Sequence, residues 1–348
     1  MPIKTQAMDI SKKKPVYPIQ GFLRKYLWHY DRVSRLPLLY DDLLHYQESF
    51  PVIDQSGNDT LWESVIYPSY MYEELNRKLT TIYAILRTDG DMAFSEHLSV
   101  DRIDYCTFGN SNPFRIRIIN RYNDNYDYFY VKRADASRIY GLELEHLLSP
   151  NRINFLVFRD TLIEEHIAGI PGDAFIKRYL ERPETNLVRV AKEFVKFNER
   201  CFVRLLGDMR AYNYVVDITP DFDNEQYRIR AIDFDQQSYE GRYRLYMPQF
   251  FKENYRLVQL SLQLLNERSI KQYQQEERTL IVRRLKAARY RLKDLIDCMR
   301  ADTLAPPQKV EQLKQELAQY HGDAAFLRCR NMGDIVRQQL RHALTRLY

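Results

Sequence analysis

The sequence predicts an α+β protein with a helical N-terminal extension, a small antiparallel sheet and a larger, mainly helical part. Three observations predict it. Near residue 101 the hydrophobic period changes from helical to alternating, with Phe114, Ile116 and Ile118 set against Arg115 and Arg117. AGIPG at 168–172 then breaks the chain with Gly and Pro. Beyond it the apolar residues recur at helical spacing, and from about 250 to the end the pattern is helical throughout.

Taken in order, residues 1–100 place Leu43, Leu44 and Tyr46, and later Tyr72, Leu75, Leu79, Ile82 and Ile85, at helical intervals around an SGND loop at 56–59. They are expected to form an extension packed on the neighbouring β-rich part. DRIDYCTF at 101–108, the stretch at 114–119 and the stretch at 126–131 form three consecutive antiparallel strands, separated by GNSNP at 109–113 and the turn cluster NDN at 123–125. ASRIYGLELEHLLS reads as a helix with Ser137 as a possible cap. INFLVF at 153–158 and TLIEEHI at 161–167 add two short strands. Leu187, Val190, Ala191, Phe194, Phe197 and Cys201 keep one face of a further helix. VVDIT at 215–219 and YRIRAID at 227–233 form a hairpin around PDFDNE. The expected division is an extension over 1–100, a β-rich part over 101–167 and a helical part over 168–348.

With 348 residues, 45% of them hydrophobic, the chain can build one large core or two ordinary ones. Gly and Pro, 11 and 14 in number, are too few for a low-complexity or collagen-like chain. A net charge of +5, from 52 basic against 47 acidic side chains, does not by itself indicate a nucleic-acid partner. Cys106, Cys201, Cys298 and Cys329 stand far apart, which suits free thiols in a reducing compartment. No run of about 18 apolar residues exists and the start lacks an apolar signal region, so no membrane segment and a cytoplasmic location are expected.

The sharpest motif is GDMRAYN at 207–213, lying between a helix and a strand, with AIDF at 231–234 ending the second strand of the hairpin. An Asp, four intervening residues, an Asn, and a strand ending in a carboxylate resemble the catalytic loop and metal-binding aspartate of the protein-kinase-like fold. The motif style is most similar to the aminoglycoside and choline kinases. The resemblance implies two lobes with ATP and Mg²⁺ in the cleft between them. Asp208 would accept or orient the proton of an attacking hydroxyl, and Asn213 and Asp233 would hold the metal. Asp235 is a weaker candidate ligand.

Further matches keep the family's order. YFYVKRA puts Lys132 at the end of the third strand, where the family keeps a lysine on the α and β phosphates. Its partner would be a glutamate of the next helix. Glu143 and Glu145 lie there about 200° apart, so one of them can face the cleft, and Glu143 is preferred. Gly109, Asn110 and Ser111 occupy the phosphate-covering turn, which here has one glycine. The main chain of about Glu165, His166 and Ile167 would meet the adenine at the hinge.

Departures bear on the acceptor. Gly207 precedes Asp208 where protein kinases keep arginine, which suits the small-molecule branch. No DFG-like glycine and no APE-like segment come after AIDFDQQ, so a hydroxyl-bearing small molecule is favoured over a protein as acceptor. A second expectation is a pseudokinase-like scaffold that binds nucleotide or a partner without turnover. A third is a basic helical nucleic-acid binder using VRRLKAARYRLK at 282–293. That run shares its helix with Leu280, Ile281, Leu285, Ala288, Leu292, Leu295 and Ile296, so a solvated face of a packed helix is the simpler reading.

Overall fold

The computed structural model describes residues 14–54, 57–88, 97–221 and 224–345. Its larger sheet has seven antiparallel strands: β1 (Glu48–Ile53), β2 (Asp59–Ile66), β3 (Leu98–Cys106), β4 (Phe114–Asn120), β5 (Tyr126–Arg133), β6 (Phe155–Phe158) and β7 (Thr161–Glu165), in the order β1-β2-β3-β4-β5-β7-β6. A second sheet joins β8 (Ile170–Pro171), β9 (Tyr214–Asp221) and β10 (Asn224–Ala231) in the order β10-β9-β8. The α-helices are α1 (Gly21–His29), α2 (Tyr72–Thr88), α3 (Ala136–Leu148), α4 (Gly172–Arg178), α5 (Leu187–Arg204), α6 (Tyr255–Leu264), α7 (Glu267–Ala287), α8 (Arg289–Ala301), α9 (Pro307–His321) and α10 (Met332–Thr345). The protein is therefore mixed α+β, and from residue 98 onward strands and helices fall where expected, except that Ile170–Pro171 forms a short strand within the Gly–Pro break and the single helix expected over 282–293 divides into α7 and α8 at Ala288.

Alternation in the strands builds a two-faced sheet. Ile103, Phe114, Ile116, Phe129, Val131 and Ile163 form one buried face, and Leu75, Leu79 and Ile82 of α2 pack on it in a common core. Because successive side chains point to opposite faces, Arg115, Tyr130, Lys132 and Glu164 share the other face, with Arg115 opposite Tyr130 and Tyr130 opposite Glu164 in the ladder. A second core gathers α1, α3, β6 and the helices from α4 to α10.

The first 100 residues differ from the helical extension expected. β1 and β2 are a hairpin that lengthens the sheet through pairs such as Trp62 with Cys106. Its burial alternates weakly and most of β1 is exposed, so the hairpin presents little apolar periodicity to read. Gly57, with φ +82, lies in its turn. Ser56 of that loop, and Phe222 and Asp223 of the β9–β10 turn, are outside the described residues. The segment also divides: α1 joins the second core, whereas α2 covers the sheet.

The cap of α3 also departs from expectation. Asp135, not Ser137, is its N-cap and accepts from the Arg138 N–H at 3.2 Å. Ser137, one residue inside the helix, turns its hydroxyl onto the carbonyls of Asp235 and Gln237 at 3.2 and 2.9 Å. No helix among the described residues is long and apolar enough to cross a membrane.

Candidate functional site

The site begins where α5 stops. Leu205 takes a left-handed conformation, φ 54, and ends the helix. The chain then runs extended, with Leu206 bridged to Gln237, and Asp208 takes a second left-handed turn, φ 57. Asp tolerates this conformation better than most residues, and such backbone positions cluster at functional sites. Asn213 closes the loop by donating its Nδ2 to the Asp208 carbonyl at 2.6 Å.

The β9–β10 hairpin brings the third residue in. Tyr214 faces Ala231 in the ladder and the Ile232 N–H donates to the Asn213 carbonyl at 3.0 Å, so Asn213 and Asp233 flank the same end of the hairpin. Segment 236–238 holds this end against the loop. Ser238 N–H donates to the Leu205 carbonyl at 2.9 Å and Gln237 Nε2 to the Arg204 carbonyl at 2.6 Å. Asp208, Asn213 and Asp233, named from the motif's resemblance to the kinase-like catalytic loop, are thus gathered at one place. Asp208 is also ion-paired, with Arg210 Nε 2.8 Å from its Oδ1 and Arg210 reaching Glu253 at 3.0 Å.

Across from them, Lys132 is buried and its Nζ lies 2.7 Å from Glu164 of β7. The pairing expected between Lys132 and Glu143 does not form. Glu143 is fully buried elsewhere, accepting from Tyr26 at 2.6 Å, Arg32 at 2.8 Å and Arg291 at 2.8 Å. The reason is helical geometry. At ~100° per residue, five residues turn Glu143 about 140° away from Arg138, the α3 residue that does face Lys132's partner. Glu145 shares Arg138's azimuth but lies two turns further along, about 10 Å away, where it meets Arg204.

Arg138 is the centre that spacing did not reveal. Its side chain is 2% exposed. All five of its N–H groups are used: Nε and one Nη2 hydrogen on the two oxygens of Glu164, Nη1 on Asp233 and on Asp235 at 2.9 Å each, and the remaining Nη2 hydrogen on the Ile232 carbonyl at 3.4 Å. A charged residue within a buried stretch, Arg138 in the first turn of α3 and Glu164 inside an apolar strand, is the sequence feature that could have pointed here.

Two cations and three carboxylates therefore share one cluster, buried except at the Asp233 carboxylate. Burial pushes the Glu164 carboxyl up, but Arg138 and Lys132 outweigh it and hold it down at about 2. Asp233 goes the other way. Burial and the charge of Asp235 raise it to about 6 against the pull of Arg138. Burial, together with Arg138, pushes the Lys132 ammonium down.

The residues fit a divalent cation in part. Asp233 Oδ1 is taken by Arg138 and by the Asp235 N–H, at 2.9 and 3.0 Å, and the side chain remains 31% exposed, so Oδ2 is the oxygen left to a ligand. Asn213 commits its Nδ2 to Asp208, and its Oδ1 takes part in no hydrogen bond with the described residues. A carboxylate and an amide oxygen are suitable donors for a hard cation that keeps several waters. No group of three or more His, Cys, Asp or Glu side chains able to hold a metal occurs among the described residues.

The other residues expected at the nucleotide are spread over two places. Asn110 and Ser111 line a cleft of about 200 Å³ with Asn112, Lys14, Arg133 and Asp235, and Gly109 stands at its loop. Lys132 and Asp233 do not line it. Glu165 ends β7, and its side chain accepts from the Asn154 N–H at 2.8 Å. His166 packs on Tyr128 and Tyr130, and Ile167 is buried. Outside the strand ladder, the backbone groups of His166 and Ile167 enter no hydrogen bond with described residues. Comparison with protein-family models and with curated proteins finds no match for this chain.

Proposed function

We propose that the protein is an ATP- and Mg²⁺-dependent phosphotransferase of the two-lobed, kinase-like kind, moving the γ-phosphoryl group to a hydroxyl of a small molecule. The observation that carries this reading is the convergence of Asp208, Asn213 and Asp233 through the hairpin register and the Asn213–Asp208 bond, facing a buried lysine. From residue 98 onward the order of elements supports it: three strands, a helix, two strands, then a mainly helical remainder that carries the small β8–β10 sheet.

Phosphoryl transfer asks a protein mainly to position reactants and neutralise charge. Bound Mg²⁺ would supply positive charge to the phosphates. Asp208, its carboxylate oriented by Arg210, positions the acceptor hydroxyl and takes its proton. Asn213 Oδ1 and Asp233 Oδ2 would hold the cation, and Lys132, steadied by Glu164, would supply further positive charge to the phosphates. Glu143 has no part in this chemistry.

A second reading, a nucleotide- or partner-binding scaffold without turnover, draws on the guanidinium groups already bonded to Asp208 and Asp233. It also draws on a cleft smaller than the ~300–1,000 Å³ of ordinary ligand pockets. Thermal unfolding of the wild type and Asp233→Ala, with and without millimolar ATP and Mg²⁺, tests both, since a ligand bound only by the folded state raises its stability. A metal-dependent rise in Tm lost in Asp233→Ala, together with ATP consumption, is expected. The same rise without consumption favours the scaffold, and no rise removes the nucleotide site.

A further inference from the structure

We infer that the face of the seven-stranded sheet turned away from α2 is a binding surface for single-stranded nucleic acid, with bases laid on a shelf of rings and phosphates held by the arginines between them. The inference needs neither the metal nor the transfer step of the phosphotransferase reading.

Strand register builds the shelf. Arg102 stands opposite Arg117 and Arg117 opposite Tyr128, while Asp104 stands opposite Arg115 and Arg115 opposite Tyr130, so these side chains share one face. Trp62 of β2 joins them beneath Arg115, whose guanidinium carbon lies 4.5 Å from the Trp62 ring centre and 5.4 Å from that of Tyr128. The Trp62 and Tyr130 rings are 6.3 Å apart, and His166 lies 5.5 Å from Tyr128 and 5.9 Å from Tyr130. Arg117 lies 4.1 Å from the Tyr126 ring, which packs on Tyr128 at 5.6 Å. Tyr126 is 56% exposed, and the other rings and the three arginines are half-buried.

Rings that meet across strands stabilise a sheet without any ligand. Charge and extent go beyond that role. Three guanidinium groups face two carboxylates, because buried Asp104 serves both Arg102 and Arg115 and only Asp101 meets Arg117. Arg102 and Arg117 approach those carboxylates at 2.8 and 3.2 Å through Nε, with side chains 33% and 27% exposed, and no hydrogen bond to a described residue comes with either contact. Their Nη groups are suited to phosphate oxygens, and guanidinium planes lying on rings are surfaces on which bases stack. From Tyr126 to Tyr130 the shelf runs about 13 Å along β5, and from Trp62 to His166 it crosses about 19 Å of sheet. One base fills part of that area, and two or three fill it, as on other sheet faces that stack single strands. The aliphatic side chains that a protein partner would pack against, such as Ile103, Ile116, Val131 and Ile163, are on the α2 face instead.

Fluorescence anisotropy of the full chain with labelled oligo(U) and oligo(dT) of about eight nucleotides, at salt from about 50 to 200 mM, tests the surface. Binding that weakens as salt rises is expected; either oligonucleotide supports the inference, and the tighter one names the preferred sugar. Tyr126→Ala is expected to lose about tenfold in affinity and Tyr126→Phe to keep it, since stacking needs the ring and not the hydroxyl. Arg102→Ala and Arg117→Ala should each lower the salt slope by about 0.7. Arg289→Ala, in the basic run of α8, should change neither quantity. Absence of binding by the wild type at the lowest salt overturns the inference, as does binding that Arg289→Ala weakens and Tyr126→Ala and Arg117→Ala leave unchanged. A dimer seen by light scattering that Tyr126→Ala dissolves also overturns it, because a second copy then covers the face.

Discussion

Burial and neighbouring charges act against each other on single side chains throughout this protein, and pH is the means to read them. Burial, reinforced by Arg32, pushes the His146 imidazole down to about 4, and its Nδ1 has no hydrogen-bond partner among the described residues. Between pH 6.5 and 4 the folded protein holds this ring neutral while the unfolded chain protonates it. Its contribution to stability is therefore complete above 6.5 and is lost as pH falls toward 4. Glu164, held down at about 2, adds a loss of the same sign below 4.5. Asp233, raised to about 6, opposes them, since its contribution is largest at low pH and fades as pH rises through 6. Urea denaturation at stepped pH should show His146→Gln losing less stability than the wild type between 6.5 and 4, by up to one proton in the slope. Parallel curves would mean that the ring is not held neutral. At this scale the sequence was partly legible. Asp208, Asn213 and Asp233 were named through a motif resemblance, and they come together because loop and hairpin are local. Arg138, Glu164 and Arg210 had no such signal, since their roles arise from neighbours that spacing does not show.

At the scale of elements, α3 is the piece that aligns the site. Its residue Gly141 lies against the chain just past Asp233: a Cβ there would stand 3.0 Å from Phe234 Cβ, 3.1 Å from Gln237 Cβ and 3.3 Å from the Phe234 carbonyl. The neighbouring segment is itself bonded to Ser137 and to the end of α5 through Gln237, so it has little room to give. Gly141→Ala is expected to destabilise the protein by about 1–3 kcal/mol, as overpacking does, measured as a lower urea midpoint. An unchanged midpoint would show that α3 shifts freely. The expected helix at α3 and the strands from 98 onward were legible because each carries a clear apolar period. The β1–β2 hairpin was not, because exposed and half-buried positions mix along it with Val65 its one buried residue, so no clear apolar period is imposed.

For the molecule as a whole, Glu143 ties three distant stretches together. Arg32 lies just past α1, Arg291 belongs to α8 and Glu143 to α3, and all meet with the Tyr26 hydroxyl around one buried carboxylate. Glu143→Gln leaves two guanidinium groups facing an uncharged partner, and breaking such a buried arrangement costs about 3–5 kcal/mol. Chemical denaturation should record that loss while the nucleotide-dependent stabilisation proposed above persists in the folded variant; an effect on that stabilisation with no loss of stability would return Glu143 to the proposed site. The basic run at 282–293 belongs to the same design. Ile281, Leu292, Leu295 and Ile296 are buried beneath it, and Arg291 points inward to Glu143. What the sequence determined by itself was the mixed α+β character and most element positions, since period and turn chemistry act within a few residues; Asp208, Asn213 and Asp233 were reached through a motif resemblance. Which acid meets Lys132 and which cation meets Asp233 were decided by tertiary structure alone. Those choices depend on the rotation of α3 against the sheet and on partners as far apart as Arg138 and Asp233, 95 residues along the chain, which only packing brings within bonding distance.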